Sequence, residues 1–145
     1  MSAEDLTAIT ALERCEPSAW EESLIRAELG RQDGIQLIAH LNSIVLGWCC
    51  GRFFDTEAEL LKIAVQAGSR RQKIATRLLD SLEKQLHESG VQLLFLEVRS
   101  RNLSAISFYH KVGFTEDARR IRYYSQPVDD ALLFRKTLAV HTMEP

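Results

Sequence analysis

Apolar residues recur at helical spacing most clearly in one stretch, where Ile74, Leu78, Leu79, Leu82 and Leu86 form a stripe and Arg77, Glu83 and Lys84 fall off it. The spacing predicts an amphipathic helix stopped by Gly90. Before it the pattern changes. Residues 35–41, 44–54 and 60–65 read as strands separated by the Asn42-Ser43 and Asp55-Thr56 turns, which together predict an antiparallel meander. Residues 91–98 (Val-Gln-Leu-Leu-Phe-Leu-Glu-Val) are almost continuously apolar, as in a strand buried on both faces. A helix separates this strand from that at 60–65, so the two are expected to run parallel.

The flanking segments complete the pattern. Residues 5–29 read as two short helices, with Glu16, Pro17 and Ser18 between them and Gly30 closing the second. Asn102 or Ser104 can cap a further helix whose inner side carries Ala105, Ile106, Tyr109 and Val112 and which Gly113 ends. Phe114 opens another extended segment, and residues 120–125 and 131–138 finish the sheet. The expected fold class is α/β: a mixed, mostly antiparallel central sheet with one parallel strand pair joined by a helical crossover, flanked by helices.

Length and composition narrow this. At 145 residues and 46% hydrophobic content, residues 1–145 suit one domain with a substantial core, residues 139–145 reading as a frayed tail. No repeat or low-complexity stretch interrupts it. A net charge of −2 gives no general attraction to nucleic acid or anionic membrane, so any anionic ligand must meet a local patch. No secretory signal and no run of about 18 apolar residues is visible, so the expected compartment is the cytoplasm, away from any membrane. Cys15, Cys49 and Cys50 lack metal-ligand spacing, and neighbouring strand residues point to opposite faces, so all three are expected to be buried free thiols. His40, His87, His110 and His141 make no zinc pattern, and no metal is expected; His110, beside Tyr109, is a minor candidate for chemistry.

Three features carry chemistry. Arg70, Arg71, Gln72 and Lys73 form a basic turn between a strand and a helix, where first-turn N–H groups are unpaired and the macrodipole is positive, so a phosphate-bearing ligand is suited to it. Glu97 is a lone carboxylate in an apolar strand, to be paired or put to use; an ion pair with Arg99, Arg101 or Arg122 is the structural alternative. Tyr109 lies on the first turns of a helix expected to pack beside the C-terminal end of that strand, where its hydroxyl could share a cleft with Glu97 or serve only in core packing.

Together these residues resemble the GNAT superfamily of N-acetyltransferases, and within it the RimI type, the ribosomal-protein-alanine N-acetyltransferases. Residues 15–29, with Trp20, resemble the helical substrate-side segment, and Ile63-Ala64-Val65 the strand that holds the pantetheine arm. Residues 70–75 match the Gln/Arg-x-x-Gly-x-Gly/Ala pyrophosphate turn, and Leu96-Glu97-Val98-Arg99-x-x-Asn102 with residues 105–114 resembles the rest of the cofactor site. The resemblance implies acetyl-CoA as cofactor, held by Ile63, Ala64, Val65, Arg70, Arg71, Gln72, Lys73, Ile74, Ala75, Thr76, Asn102, Ser104 and Tyr109. It further implies Glu97 as general base, Tyr109 as general acid, and Trp20, Tyr123 and Tyr124 at the peptide acceptor.

The implied reaction is direct acetyl transfer to an amine, most simply the N-terminal α-amine of a protein such as a small-subunit ribosomal protein. A lysine side chain or small-molecule amine is the alternative acceptor, a non-catalytic acyl-CoA-binding module a second alternative, and RNA binding through Arg99, Arg101, Arg119, Arg120 and Arg122 a minority reading. Two departures stand out. Lys73 occupies the glycine position of the turn, where a side chain crowds the approach of a ligand; with a negative φ it can point outward and add charge near the phosphates, and cofactor binding is expected to survive with altered affinity. The family's first strand, with only Met1 to Glu4 before Asp5, is expected to be absent or very short.

Overall fold

The computed structural model describes residues 3–16, 19–125 and 127–138. Pro17, Ser18 and the expected tail at 139–145 lie outside the described residues. Helices α1 (Ala3–Glu13) and α2 (Glu22–Leu29) come first, and no strand precedes α1 among the described residues. The meander follows as β1 (Gly34–Leu41), β2 (Ile44–Phe54) and β3 (Glu57–Val65). At its first turn both Asn42 (φ 51) and Ser43 (φ 70) are left-handed, which a two-residue type I′ hairpin requires and asparagine tolerates.

The crossover runs from β3 through a 3-10 turn (Ala67–Gln72) and α3 (Ile74–Glu88) to β4 (Leu93–Arg99). Then come α4 (Leu103–Lys111), β5 (Thr115–Ser125) and β6 (Val128–Thr137). The sheet order is β1-β2-β3-β4-β6-β5, with β3 and β4 parallel and the other neighbours antiparallel. The α/β expectation therefore holds, including its single parallel pair. Gly90 (φ 91) and Gly113 (φ 104) close α3 and α4 with the positive φ that glycine permits, whereas Gly30 ends α2 at φ −94.

Two apolar clusters cover the sheet. The α3 stripe Ile74, Leu78, Leu79, Leu82 and Leu86 is entirely buried and packs with Cys49, Leu60, Leu94 and Phe134. Ile9 and Leu12 of α1 and Ile25 of α2 pack with Trp48, Cys50 and Ala64 in the second. Adjacent Cys49 and Cys50 thus enter opposite clusters as free thiols, and burial pushes the Cys49 thiol up to about 12. Cys15 corrects the expectation: it is exposed, in the turn that follows α1.

Element bounds differ where polar sequence hid a strand. β5 runs unbroken from Thr115 to Ser125, merging the extended segment expected to open at Phe114 with the strand expected at 120–125; its first part, 115–120 (Thr-Glu-Asp-Ala-Arg-Arg), is an exposed edge with no apolar alternation to show the continuity. β6 begins at Val128 ahead of two aspartates, β3 at Glu57, and β4 at Leu93 after Val91 has already joined the core. Among the described residues no helix is long and apolar enough to cross a membrane.

Candidate active site

β3 and β4 pair at only three positions, Glu57↔Leu93, Ala58↔Leu94 and Glu59↔Phe95, and then part. β3 continues to Val65 and β4 to Arg99 without pairing with each other, and a cavity of about 750 Å³ lies at the parting. Its walls include β3 from Glu59 to Val65, β4 from Glu97 to Arg99, and Ala105, Phe108 and Tyr109 of α4. Trp20 and Glu16 close it from the α1–α2 side, and Tyr123 and Tyr124 from β5. The cleft thus gathers Glu97, Tyr109, Ile63, Ala64, Val65, Ala75, Asn102, Ser104, Trp20, Tyr123 and Tyr124, all singled out from sequence.

Glu97 alternates with buried Leu96 and Val98, so the strand's pleat turns it toward the cleft, where its side chain is 20% exposed. Its partner is Arg120, with Nε 3.4 Å from Oε2, and that oxygen is buried without a hydrogen bond. The ion pair offered as the structural alternative is thus made by Arg120, and not by Arg99, Arg101 or Arg122. Arg99 lies over the Tyr124 ring at 4.2 Å and donates to the Pro127 carbonyl at 2.9 Å. The backbone N–H groups of Arg101 and Arg122 donate to Asp129 and Asp130.

The cause is a bulge. Arg120 pairs with Ala131 and Tyr124 with Asp129, so Ile121, Arg122 and Tyr123 of β5 face Asp130 alone on β6. Arg122 takes φ 52 there, and Asp130 holds the bend by accepting the Arg122 N–H at 2.9 Å and pairing with Arg119 at 3.0 Å. Arg120 consequently reaches Glu97, and the Tyr123 and Tyr124 rings, 5.2 Å apart, line the cleft.

Tyr109 is 8% exposed, with the Phe114 and Phe134 rings 5.6 and 6.3 Å away. Burial, reinforced by the Cys49 thiol, raises its pKa above the ordinary tyrosine value, so the phenol stays protonated at neutral pH. His110 is exposed, packs on Phe134 at 5.1 Å and is not among the cleft's lining residues. Sequence reasoning missed Glu59, Lys62 and Glu16 in the lining. Burial raises the Glu59 carboxyl, the charge of Glu97 raises it further, and Arg52 and Arg120 oppose the shift. Its period-two relation to Leu61 and Ile63 was the available signal.

At the basic turn Lys73 has φ 60 and ψ 25, so the condition of a negative φ is not met: lysine here adopts the backbone that glycine would take freely. Its side chain makes no cap hydrogen bond to α3. Ile74 sends its side chain into the core, so only its backbone is available to a ligand, while Ala75 lines the cleft and Thr76 is half-buried beside it. The backbones of Arg70, Arg71 and Gln72 form the end of the 3-10 turn, and their side chains lie outside the described residues. Asn102, rather than Ser104, caps α4, its Oδ1 accepting the Ala105 N–H at 3.2 Å.

Chemically, the cleft combines a carboxylate, a protonated phenol, an open strand edge and a helix N-terminus. The family model for the acetyltransferase (GNAT) family matches residues 6–114, which hold both parted strands, the crossover and α4. The Escherichia coli protein named [ribosomal protein bS18]-alanine N-acetyltransferase is 43% identical over 68 residues, 47% of this chain and 46% of that one. The chain therefore matches about half the length of such curated relatives. The crystal structure of the ribosomal-protein-S18-alanine N-acetyltransferase from Escherichia coli superposes with a TM-score of 0.86 at 26% identity, covering 100% of this chain and 95% of that one. Ard1 from Thermoplasma volcanium gives 0.88 at 25% identity, with 97% and 95% covered. By its sequence model, its parted parallel strands and these structural likenesses, the chain belongs to the GNAT acetyltransferase family.

Proposed function

We propose that this chain is an acetyl-CoA-dependent N-acetyltransferase acting in the cytoplasm on the N-terminal α-amine of a protein, such as a small-subunit ribosomal protein. The convergence of Glu97 and buried Tyr109 on the cleft where β3 and β4 part carries this reading. The residues fit the donor. From Leu60 to Ala64 β3 no longer pairs with β4, which suits an extended arm bearing amides. The first turn of α3 has no side-chain cap from Lys73, which suits a pyrophosphate. Ile63, Ala64 and Val65 would hold the arm, residues 70–76 the phosphates, and Asn102 and Ser104 the neighbouring part.

When bound, the thioester supplies the acetyl group and a thiolate leaving group. Glu97 would take the ammonium proton from the acceptor, directly or through water, and Tyr109 would give a proton to the departing sulfur and regain one from the newly acylated nitrogen. A strand-edge backbone N–H near Val65 would supply the hydrogen bond that stabilises negative charge on the acetyl oxygen. Trp20, Tyr123 and Tyr124 form the acceptor wall. At pH 7 roughly one α-amine in seven is neutral against about four lysine side chains in ten thousand, a difference of about 3.5 kcal/mol. A carboxylate base is therefore better matched to an α-amine, and the Escherichia coli relative is named as an alanine N-acetyltransferase of ribosomal protein bS18.

Acetyl transfer to peptides differing in their first residue, beside lysine, polyamine and aminoglycoside amines, with products identified by mass spectrometry, tests this. Acetylated α-amines are expected, with a preference for N-terminal alanine. Glu97→Gln and Tyr109→Phe are each expected to lower kcat by about 10²- to 10⁴-fold. Modification of lysine and of no α-amine overturns the acceptor; full turnover in both variants overturns the assigned roles.

A further inference from the structure

The α1–α2 side of the cleft rests on one fully buried carboxylate, Glu13, the last residue of α1. Its Oε2 accepts the Trp48 indole N–H at 2.8 Å, and its Oε1 accepts the Trp20 backbone N–H at 2.9 Å. The same Oε1 lies 3.2 Å from Nζ of Lys62, whose side chain is 11% exposed. These donors come from the middle of β2, from the irregular segment before α2 and from β3. Trp20 and Lys62 both line the cleft, and the Trp20 ring stands edge-on to Trp48 at 5.7 Å.

A charge this deep is costly unless paired and hydrogen-bonded, and removing one partner leaves the others stranded. Core filling does not require it, because Ile9 and Leu12 already anchor α1 in the apolar cluster. What the carboxylate adds is direction: two of its three donors belong to residues that face the cleft, and the third belongs to the ring that backs Trp20.

We infer that Glu13 is a positioning residue for the acceptor amine: it pins Trp20 to the sheet and pairs with Lys62, so that the incoming ammonium meets a fixed aromatic wall. This rests on the acetyltransferase reading for the identity of the acceptor, and on the geometry for the anchoring. Glutamine in place of Glu13 retains one carbonyl acceptor, loses the charge opposite Lys62, and puts a donor where an acceptor served Trp48 or Trp20.

The experiment has an arm that needs no turnover. In the unsubstituted protein the Trp20 amide, although outside any helix or strand, is expected to be protected against hydrogen exchange; exchange at the rate of an open chain overturns the anchoring. Trp20 and Trp48 are the only tryptophans in the chain, so intrinsic fluorescence reads both partners of Glu13 directly. Glu13→Gln is expected to change that emission and accelerate Trp20 exchange while far-UV circular dichroism is retained. In acetyl transfer its acceptor KM is expected to rise about tenfold, equivalent to about 1.4 kcal/mol. Its kcat and acetyl-CoA KM should stay within about twofold of the parent. Equal changes in both KM values, or a lowered melting temperature alone, assign Glu13 a purely structural role and overturn the inference. If the parent acetylates no amine, the acetyltransferase reading fails and the acceptor role with it, while exchange and fluorescence still decide whether Glu13 anchors Trp20.

Discussion

The two edges of β4 carry the same apolar sequence and meet opposite fates. Toward β6 the strand is paired from Leu93↔Thr137 to Arg99↔Ala131; toward β3 it is paired only as far as Phe95. Strand propensity is common to both edges, so the route of the neighbouring chain decides between them. β6 returns antiparallel alongside β5 and stays in register with β4. β3 leaves for the crossover, and Ala75 of α3 and Phe108 and Tyr109 of α4 line the space that opens. An unpaired edge is ordinarily a liability. Here its open face lies inside a cleft, next to the carboxylate and phenol proposed to do the chemistry. The closed edge supplies rigidity, the open edge a site.

Breaking the closed edge is expected to have the largest effect. Phe134 is fully buried, sits opposite Leu96 and stands 6.3 Å from the Tyr109 ring. Phe134→Ala is expected to cost about 3–5 kcal/mol of stability, read from urea unfolding, because it leaves a cavity that its neighbours fill only in part. A loss below about 1 kcal/mol would show that the closed edge does not hold β4 in place.

The crossover that separates β3 from β4 gives a smaller effect of opposite sign. Lys73 occupies a left-handed conformation at φ 60, which disfavours side chains bearing a Cβ. Lys73→Gly is expected to stabilise the protein by about 1 kcal/mol after glycine's larger unfolded-state entropy is set against the relieved strain. Unchanged or lower stability would mean that the lysine side chain makes a compensating contact.

The smallest effect sits where the two strands part. Glu59 at the last paired position has its carboxyl pKa raised by burial and by Glu97, so ionisation costs more in the folded protein than in the unfolded chain. That penalty is absent well below the ordinary carboxylate range and appears as pH rises through the folded value. Glu59→Gln is therefore expected to melt with the parent at about pH 3 and slightly above it at about pH 7. A parent that melts higher at neutral pH would show that its charge is compensated by Arg52 or Arg120.

Much of this was legible in the chain. The α3 stripe, the meander turns, the parallel pair and the α4 cap at Asn102 follow from periods and caps that operate within a turn or two. The cleft residues could be collected because Glu97, Asn102 and Tyr109 are close in sequence and the helix places them at one strand end. Other features stayed hidden for identifiable reasons. The first half of β5 is polar on both faces, so nothing in it shows that the extended segment after Phe114 is continuous with the strand at 120–125, and the bulge at Ile121–Tyr123 exists only in its register against β6. Arg120 was passed over for its neighbours because that bulge, not distance along the chain, selects which arginine meets Glu97. Lys73 holds a left-handed backbone between the 3-10 turn and α3, a conformation its side chain does not signal.

By itself the sequence determined the elements and the short-range company of each reactive group, since hydrophobic period, capping and turn chemistry act over a few residues. Only the tertiary structure decided where β3 abandons β4, which arginine faces Glu97, and that a helix-end glutamate lies buried under Trp20 and Trp48. Those outcomes join residues far apart in the chain, such as Glu13 and Trp48 at a separation of 35. They are set by the desolvation of charges and the packing of whole layers, which no local pattern encodes.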